Sequence, residues 1–522
     1  MQSRTSTLSV FLLLAAAAIP AAAQVPSPAA EPLPQAVQVP LSGRTLQVGG
    51  AVVTNQTVNP AAPPSSAQTS IFQVQVQGSY DGSVPHGQPT GAPVSLTLFD
   101  AIERGLHYNL ASVSNDNMLA YARSQLALAR SYLLPTVVGR LLGDEQQTDL
   151  AALGFSSIKG FSGFPTVIGP FHFFDLRAGL SETMSLPALH TWRTAKETAR
   201  AIDFNAKDSR DLVVLAVAAT YLQVLSADAR VTVSQAQVNS AQAIYQQAAD
   251  MNHAGMNARI DVLRPQVELQ IEQQRLRAVQ SEAEKGKLAL ARLIGLPAGQ
   301  QITLSDTVPF APLETLTLEQ ALDRANHNRA DLRAAEAQVR ASEHAVSAAR
   351  AERYPSVGLT ADYGAIGTGP TSAHGTFTLT GEVRMPIFEG GRTAADVEQA
   401  TAALNQRKAE LADLHGRIDF EIRNAFIDLQ TAADQVRVSR GNTDLANEAL
   451  TEARDRFAAG VTDTIEVVQA EQSVAAANSD YITSVYSYNM AKVSLARAVG
   501  LADESVHEFF KGTGDATTKP SH

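Results

Sequence analysis

The chain holds 11 histidines, 52 acidic and 41 basic residues, and no subset of them has the spacing that catalysis or metal binding demands. His172, His190, His253 and His327 stand apart in sequence and read as surface or interface residues, and no HExxH pair occurs. The absence of cysteine excludes thiolate metal sites, disulfides and an N-terminal lipid anchor on this chain. Gly390-Gly391 lacks the glycine spacing and the strand-to-helix context of a phosphate cradle. The residues therefore predict no active site, no metal and no cofactor. What remains is electrostatic chemistry at two turns. Asp261 follows Ala254-Gly255, and Asp463 and Glu466 follow Ala459-Gly460; carboxylates there favour the start of a returning helix. Glu389 and Arg392 flank the glycine pair and read as stabilising a junction.

The elements that position these turns occur twice. Leu98-Phe99-Asp100-Ala101-Ile102 answers Leu318-Glu319-Gln320-Ala321-Leu322, and Pro135 answers Pro355 at the same offset. Pro187 answers Pro386, and Ile260-Asp261-Val262 answers Ile465-Glu466-Val467. Lys287 to Leu296 mirrors Lys492 to Leu501. A repeat of about 200 residues is too long for a solenoid unit, so the copies are pseudo-equivalent halves of one architecture, each helix-strand-strand-helix-helix. Residues 96–296 form the first half, 297–317 a linker and 318–501 the second half.

Ala188 to Asp250 and Gly391 to Phe457 contain almost no helix breaker. About 65 residues at 1.5 Å each make a rod of roughly 95–100 Å. Ile418, Ile422, Ala425, Leu429, Ala432 and Val436 follow the four-three spacing of a coiled-coil seam. The returning helices, Asp261 to Leu293 and Glu466 to Val499, are half as long, and Leu98 to Leu134 with Leu318 to Arg353 supply the missing height. Between them, Val137 to Leu142 follows Pro135 and reads as a strand, while Phe174 to Ser181, Val357 to Tyr363 and Phe377 to Met385 alternate apolar with small or polar residues. That is the pattern of a transmembrane barrel wall, and also of a water-exposed hairpin. The joining loops, Gly143 to Pro170 and Ile366 to Gly375, are glycine-rich and suit an outer rim. Four strands cannot close a barrel and lipid forbids open edges, so the membrane reading requires several chains; three would supply twelve strands.

At the ends, residues 1–23 carry Arg4, an apolar run from Val10 to Ile19 and Ala21-Ala22-Ala23, the layout of a secretory signal. Residues 24–95 are rich in Pro, Ala and Gln and read as mostly disordered, with an alternating segment from Phe72 to Tyr80 as an edge strand, a strap along the body or a plain extended linker. Residues 502–522 read as a disordered tail. A net charge of −11 without a basic cluster excludes a nucleic-acid partner.

Taken together, the repeat, strands and turns resemble the outer-membrane efflux protein family, the TolC-like exit ducts of Gram-negative envelopes. The resemblance spans Leu96 to Leu501 and rests most on Leu318-Glu319-Gln320-Ala321-Leu322, on Met385 to Arg392 and on Ala459-Gly460 leading into Ile465-Glu466-Val467-Val468. It implies a transmembrane β-barrel in the outer membrane joined to a long α-helical coiled-coil barrel in the periplasm, completed by trimerisation. It implies a homotrimer working with a periplasmic adaptor protein and an inner-membrane RND or ABC-type pump, in tripartite efflux or type I secretion. The same resemblance places a periplasmic gate at Arg259, Asp261, Phe457, Thr462, Glu466 and Gln469, and adaptor-docking turns at Ala254, Gly255, Ala459 and Gly460. Well-studied members carry a tyrosine, an arginine and two aspartates where this chain has Phe457, Thr462, Glu466 and Gln469, so only Glu466 keeps its charge. Glu466 reads equally as a lumenal carboxylate or a helix N-terminal charge, and the turns equally as docking sites or simple chain reversals. A structural coiled-coil stalk and a passive porin are the alternatives to an exit duct.

Overall fold

The duplication is visible in the element order of the computed structural model, which describes residues 52–58, 70–76, 79–150, 152, 166–256, 258–306, 310, 313, 316–459, 461–462, 464–500 and 502–510. The expected signal segment lies outside them. A hairpin of β1 (Val52–Val58) and β2 (Ser70–Val76) precedes β3 (Val94–Leu96). The first half runs α1 (Leu98–Tyr108), α2 (Leu110–Ser131), β4 (Thr136–Asp149), β5 (Val167–Met184), α3 (Leu186–His253) and α4 (Arg259–Leu293). After β6 (Ile302–Leu304), the second half repeats it as α5 (Leu318–Asn328), α6 (Ala330–Ala351), β7 (Ser356–Gly367), β8 (His374–Arg384), α7 (Arg392–Ala458) and α8 (Thr464–Val499). The chain then enters α9 (Ala502–Phe510).

Each half opens with a capping box. The Thr97 hydroxyl accepts from the Asp100 amide while the Asp100 carboxylate accepts from the Thr97 amide, and Thr317 with Gln320 repeats the exchange. The opening helix, read from sequence as one piece, is broken in both halves. The breaks fall at matching positions, Asn109 and Arg329, and both side chains are buried. Asn109 donates to the carbonyls of Tyr80 (2.7 Å) and Leu293 (3.3 Å). Arg329 donates to the carbonyl of Ala498 (3.3 Å), the pseudo-equivalent of Leu293, and pairs with Asp331 and Glu421. Each break therefore satisfies a carbonyl at the end of its returning helix, which has no partner within the helix itself.

These breaks mark a waist where the largest core sits. Val213, Val214, Leu215, Val217 and Tyr221 of α3 pack there with Ile102, Leu290, Met490 and Leu495. A stretch of α3 is long and apolar enough to cross a bilayer by composition, but 78% of it is buried inside the protein, as a core helix requires. The linker is not featureless: β6 pairs in parallel with β3, and Asp306 accepts from the Leu98 amide (2.8 Å) and the Tyr221 hydroxyl (2.8 Å).

One expectation about the ends agrees with the structure and one is corrected. The alternating segment near Phe72 forms a strand, paired in a two-stranded hairpin, and β2 lies against α3 and α8. The tail begins as helix, because Val506, Phe509 and Phe510 recur at helical spacing and are buried in the waist core. His507 stacks on Phe99 (4.0 Å between centroids), and Lys492 lies 4.5 Å from the Phe510 ring. The small and polar residues that suggested disorder follow Phe510, outside the described residues.

The long helices match their expected bounds within a few residues, and the seam positions Ile418, Ile422, Ala425, Ala432 and Val436 are all buried. Near the barrel, α3 packs between α2 and α6, and α6 packs on α7. Toward the turns, α3 packs between α4 and α8, and α8 packs on α7. One flank of the protomer is thus α2 and α4, the other α7, and neither is covered within the chain.

Asp211 on α3 accepts from the Ala502 amide (3.0 Å) and so holds the start of α9. Burial is the main cause that pushes its carboxyl up to about 6, against the opposing charge of Arg497. A carboxyl raised on folding favours the folded state fully below the ordinary carboxylate range and loses that contribution as pH rises to about 6. Asp211→Asn keeps the capping oxygen and removes the charge. We expect its thermal stability to equal that of the parent below pH 4 and to exceed it by a constant margin above about pH 6, read from melting curves across that range.

Candidate functional site at the helical turns and the barrel wall

The four-stranded sheet is ordered β4-β5-β7-β8 and antiparallel throughout. Its strands reach beyond the expected segments, β4 to Asp149 and β5 back to Val167, so the first rim loop is shorter than the glycine pattern suggested. Cross-strand rows sort the residues by polarity along the middle of the sheet, with Glu145, His172, Val138 and Leu142 among the exceptions. One face carries the rows Val137, Leu180, Ala361, Leu379 and Gly139, Ala178, Tyr363, Phe377. Leu141, Leu176, Tyr363, Phe377 and Leu379 on that face are more than half exposed. The opposite face carries Arg140, Asp175, Arg177, Thr360, Asp362, Thr378, Thr380 and Glu382. An exposed apolar face behind a polar one is the pattern of a wall between lipid and water. β4 and β8 each have one unpaired edge.

At the far end, α3 closes with Gly255 at φ +74°, a left-handed position suited to glycine, while the Met256 amide reaches back to the Met251 carbonyl (2.8 Å). In the second half the Val461 amide donates in the same way to the Arg456 carbonyl (2.9 Å). Gly460 and Asp463 lie outside the described residues. Ala254, Gly255 and Ala459 are exposed. Beside them Met256 and Ile260, and their counterparts Val461 and Ile465, form an exposed apolar pair at each turn.

The structure divides the six expected gate residues into groups. Phe457 is buried and packs with Ile244, Ala453 and Val467, joining α3, α7 and α8. Glu466 accepts from the Thr462 hydroxyl and pairs with Arg456 at 3.1 Å. Asp261 accepts from the Ala258 amide (3.2 Å), which is the helix-start role of a carboxylate. Arg259 and Gln469 are exposed. Phe457, Thr462 and Glu466 are thus brought to one turn, while Arg259 and Asp261 belong to the other.

Sequence reasoning missed Arg456 and a polar node higher on the same hairpin. Arg454 on α7 pairs with Glu471 on α8 (2.7 Å), and both meet Ser240 on α3. Gln472 on α8 donates to Glu268 on α4 (3.2 Å). The available signal was antiparallel geometry: Arg454 with Glu471, and Arg456 with Glu466, straddle the turn at heights that two paired helices bring together. Buried carboxylate chemistry is also present, since Glu272 of α4 is held above the ordinary range by burial despite Arg275. Among the described residues no group of three or more metal-ligating side chains is placed to hold an ion.

A four-stranded wall with free edges above duplicated rods of about 100 Å defines a protomer of an oligomeric membrane-anchored tube. The profile of one protein family, described as "Outer membrane efflux protein", matches residues 321–501 of this chain. The chain is 23% identical to the alkaline protease secretion protein AprF of Pseudomonas aeruginosa, over 80% of this chain and 88% of that protein. It is 25% identical to the pyoverdine export outer membrane protein OpmQ of Pseudomonas putida, over 76% and 84%. Its fold is similar to the crystal structure of the Campylobacter jejuni CmeC outer membrane channel, with TM-score 0.68, 18% identity, and 85% and 95% of the two chains covered.

Phe457 sits in a small cluster rather than the main core, so its removal should loosen the tip without unfolding the waist. A phenylalanine-to-alanine change in a packed site costs about 3 kcal/mol. We expect Phe457→Ala to accelerate amide exchange in the last turns of α7 and the first turns of α8 roughly 100-fold, with exchange near Tyr221 unchanged.

Proposed function

We propose that three copies of this chain form an exit duct that carries cargo from an inner-membrane pump across the periplasm and the outer membrane. The observation that carries this reading is the pairing of an amphipathic, edge-open sheet with uninterrupted helical rods whose two flanks are uncovered. Those flanks carry exposed apolar residues at coiled-coil spacing, Phe420 and Ile427, then Val438 and Leu445 on α7, and Ile260, Leu263, Val267 and Ile271 on α4. α7 of one protomer against α2 and α4 of the next closes the tube.

The inner end is the gate in this reading. Thr462, Glu466 and Arg456 form a polar clasp across the second turn, Phe457 anchors it by packing, and Arg259, Asp261 and Gln469 complete the constriction. Compact turns with small residues, Ala254, Gly255, Ala459 and Gly460, receive a periplasmic adaptor, with Met256, Val461 and Ile465 offering it apolar contact. AprF is described by protease secretion and OpmQ by pyoverdine export, so relatives of similar likeness are associated with cargo as different as a protein and a siderophore. Energy comes from an RND or ABC-type pump, which supplies the coupling that this chain does not.

Single-channel recording in planar bilayers tests the reading. We expect a small, stable conductance that rises when Glu466→Ala removes the partner of Arg456 and Thr462. Removing an exposed ion pair changes stability by about 1 kcal/mol or less, so the trimer persists. A correctly assembled trimer with no conductance, before and after the substitution, would overturn the duct and favour a structural stalk.

A further inference from the structure

The polar face of the sheet carries one charge cluster that neither the turns nor the helical seams use. Arg177 of β5 pairs with Asp175 two residues away (2.8 Å) and with Asp362 of β7 (2.5 Å). Asp175 is only 6% exposed even in an isolated protomer, and its face lies opposite the exposed apolar rows, so in the proposed barrel it is the inner, concave side. Gly364 lies directly across from Arg177, and a Cβ there would fall 2.3 Å from the Arg177 Cβ. The missing side chain leaves the close approach that lets the guanidinium reach both carboxylates. On its other side Arg177 has Arg140 of β4 as its direct cross-strand partner. Two acids and two bases therefore sit in adjoining rows on the concave wall, and the pairing with Arg177 fixes both aspartates in place.

We propose that Asp175, Arg177 and Asp362 set the ion preference of the barrel, as a ring of fixed charges repeated once per protomer around its lumen. The proposal rests on the duct reading above. Charged side chains arrayed around a pore select permeant ions by sign, and lumenal rather than lipid-facing substitutions tune that selectivity. Here the ring is close to balanced, because Arg140 and Arg177 offset Asp175 and Asp362. Each neutralisation therefore tips it in a known direction. Loss of Arg177 leaves two carboxylates against one guanidinium. Loss of the Asp362 charge leaves two guanidinium groups against one carboxylate. A ring that passes either sign when balanced suits a duct whose selection is made elsewhere in the assembly.

The test is the reversal potential of single channels in a potassium chloride gradient. We expect Arg177→Gln to shift it toward the potassium equilibrium potential and Asp362→Asn to shift it toward that of chloride, with each variant still migrating as a trimer. Asp362 is the more exposed of the two acids, so its variant preserves the test if Arg177→Gln fails to assemble. Unchanged reversal potentials in assembled, conducting variants would overturn the proposal and leave the duct reading intact. Absence of conductance in the unsubstituted protein would instead remove the duct reading on which the proposal stands.

Discussion

A β-strand in hydrocarbon must pair its backbone on both sides, and this constraint organises the whole molecule. β4 and β8 each present an unpaired edge, while the rows between them present an apolar outer face. No rearrangement within four strands removes those edges. Pairing β8 of one protomer with β4 of the next removes them all at once, and threefold closure gives a wall of twelve strands. The barrel is therefore a property of the assembly, and the protomer is a third of a fold.

The helices obey a parallel logic without lipid. Rods of about 100 Å with alanine-rich seams bury little apolar area per residue, so they depend on neighbours along their length. Within a protomer, α3 occupies the middle position throughout and exchanges partners at the waist, from α2 and α6 to α4 and α8. The exchange is possible because each short helix ends where the next begins. Asn109 and Arg329 hold those joints by donating to the carbonyls of Leu293 and Ala498. The β3–β6 pair and α9 then tie both halves to one core, so the waist is where the tube is anchored and the turns are where it is least supported.

Much of this was legible in the residues. The repeat fixed the equivalence of Ala254-Gly255 with Ala459-Gly460 and of Pro135 with Pro355; period-two alternation located three wall strands, and the place after Pro135 located the first. The joint at Arg329 was not legible, because arginine does not break a helix by its own propensity and acts through buried partners distant in sequence; Asn109, which caps α2 through the Ala111 amide, was the one local signal. α9 was hidden by the polar residues that follow it, although Val506, Phe509 and Phe510 already had helical spacing. At the second turn, the substitutions at Phe457, Thr462 and Gln469 pointed toward packing, and Phe457 does sit in an apolar cluster. The arginine that meets Glu466 is Arg456, on the other helix of the hairpin, and residue types read one position at a time do not disclose a contact across the turn.

Because the chain lacks cysteine, its most direct test is a disulfide scan across the edges that lipid forbids. Single cysteines placed along β4 and along β8 in the same chain, oxidised in native outer membranes, should yield covalent dimers and trimers at one register and none at registers shifted by two or more residues. Cross-links confined to single chains, or no cross-linking at any register in membrane-inserted protein, would contradict the claim that three protomers close one barrel.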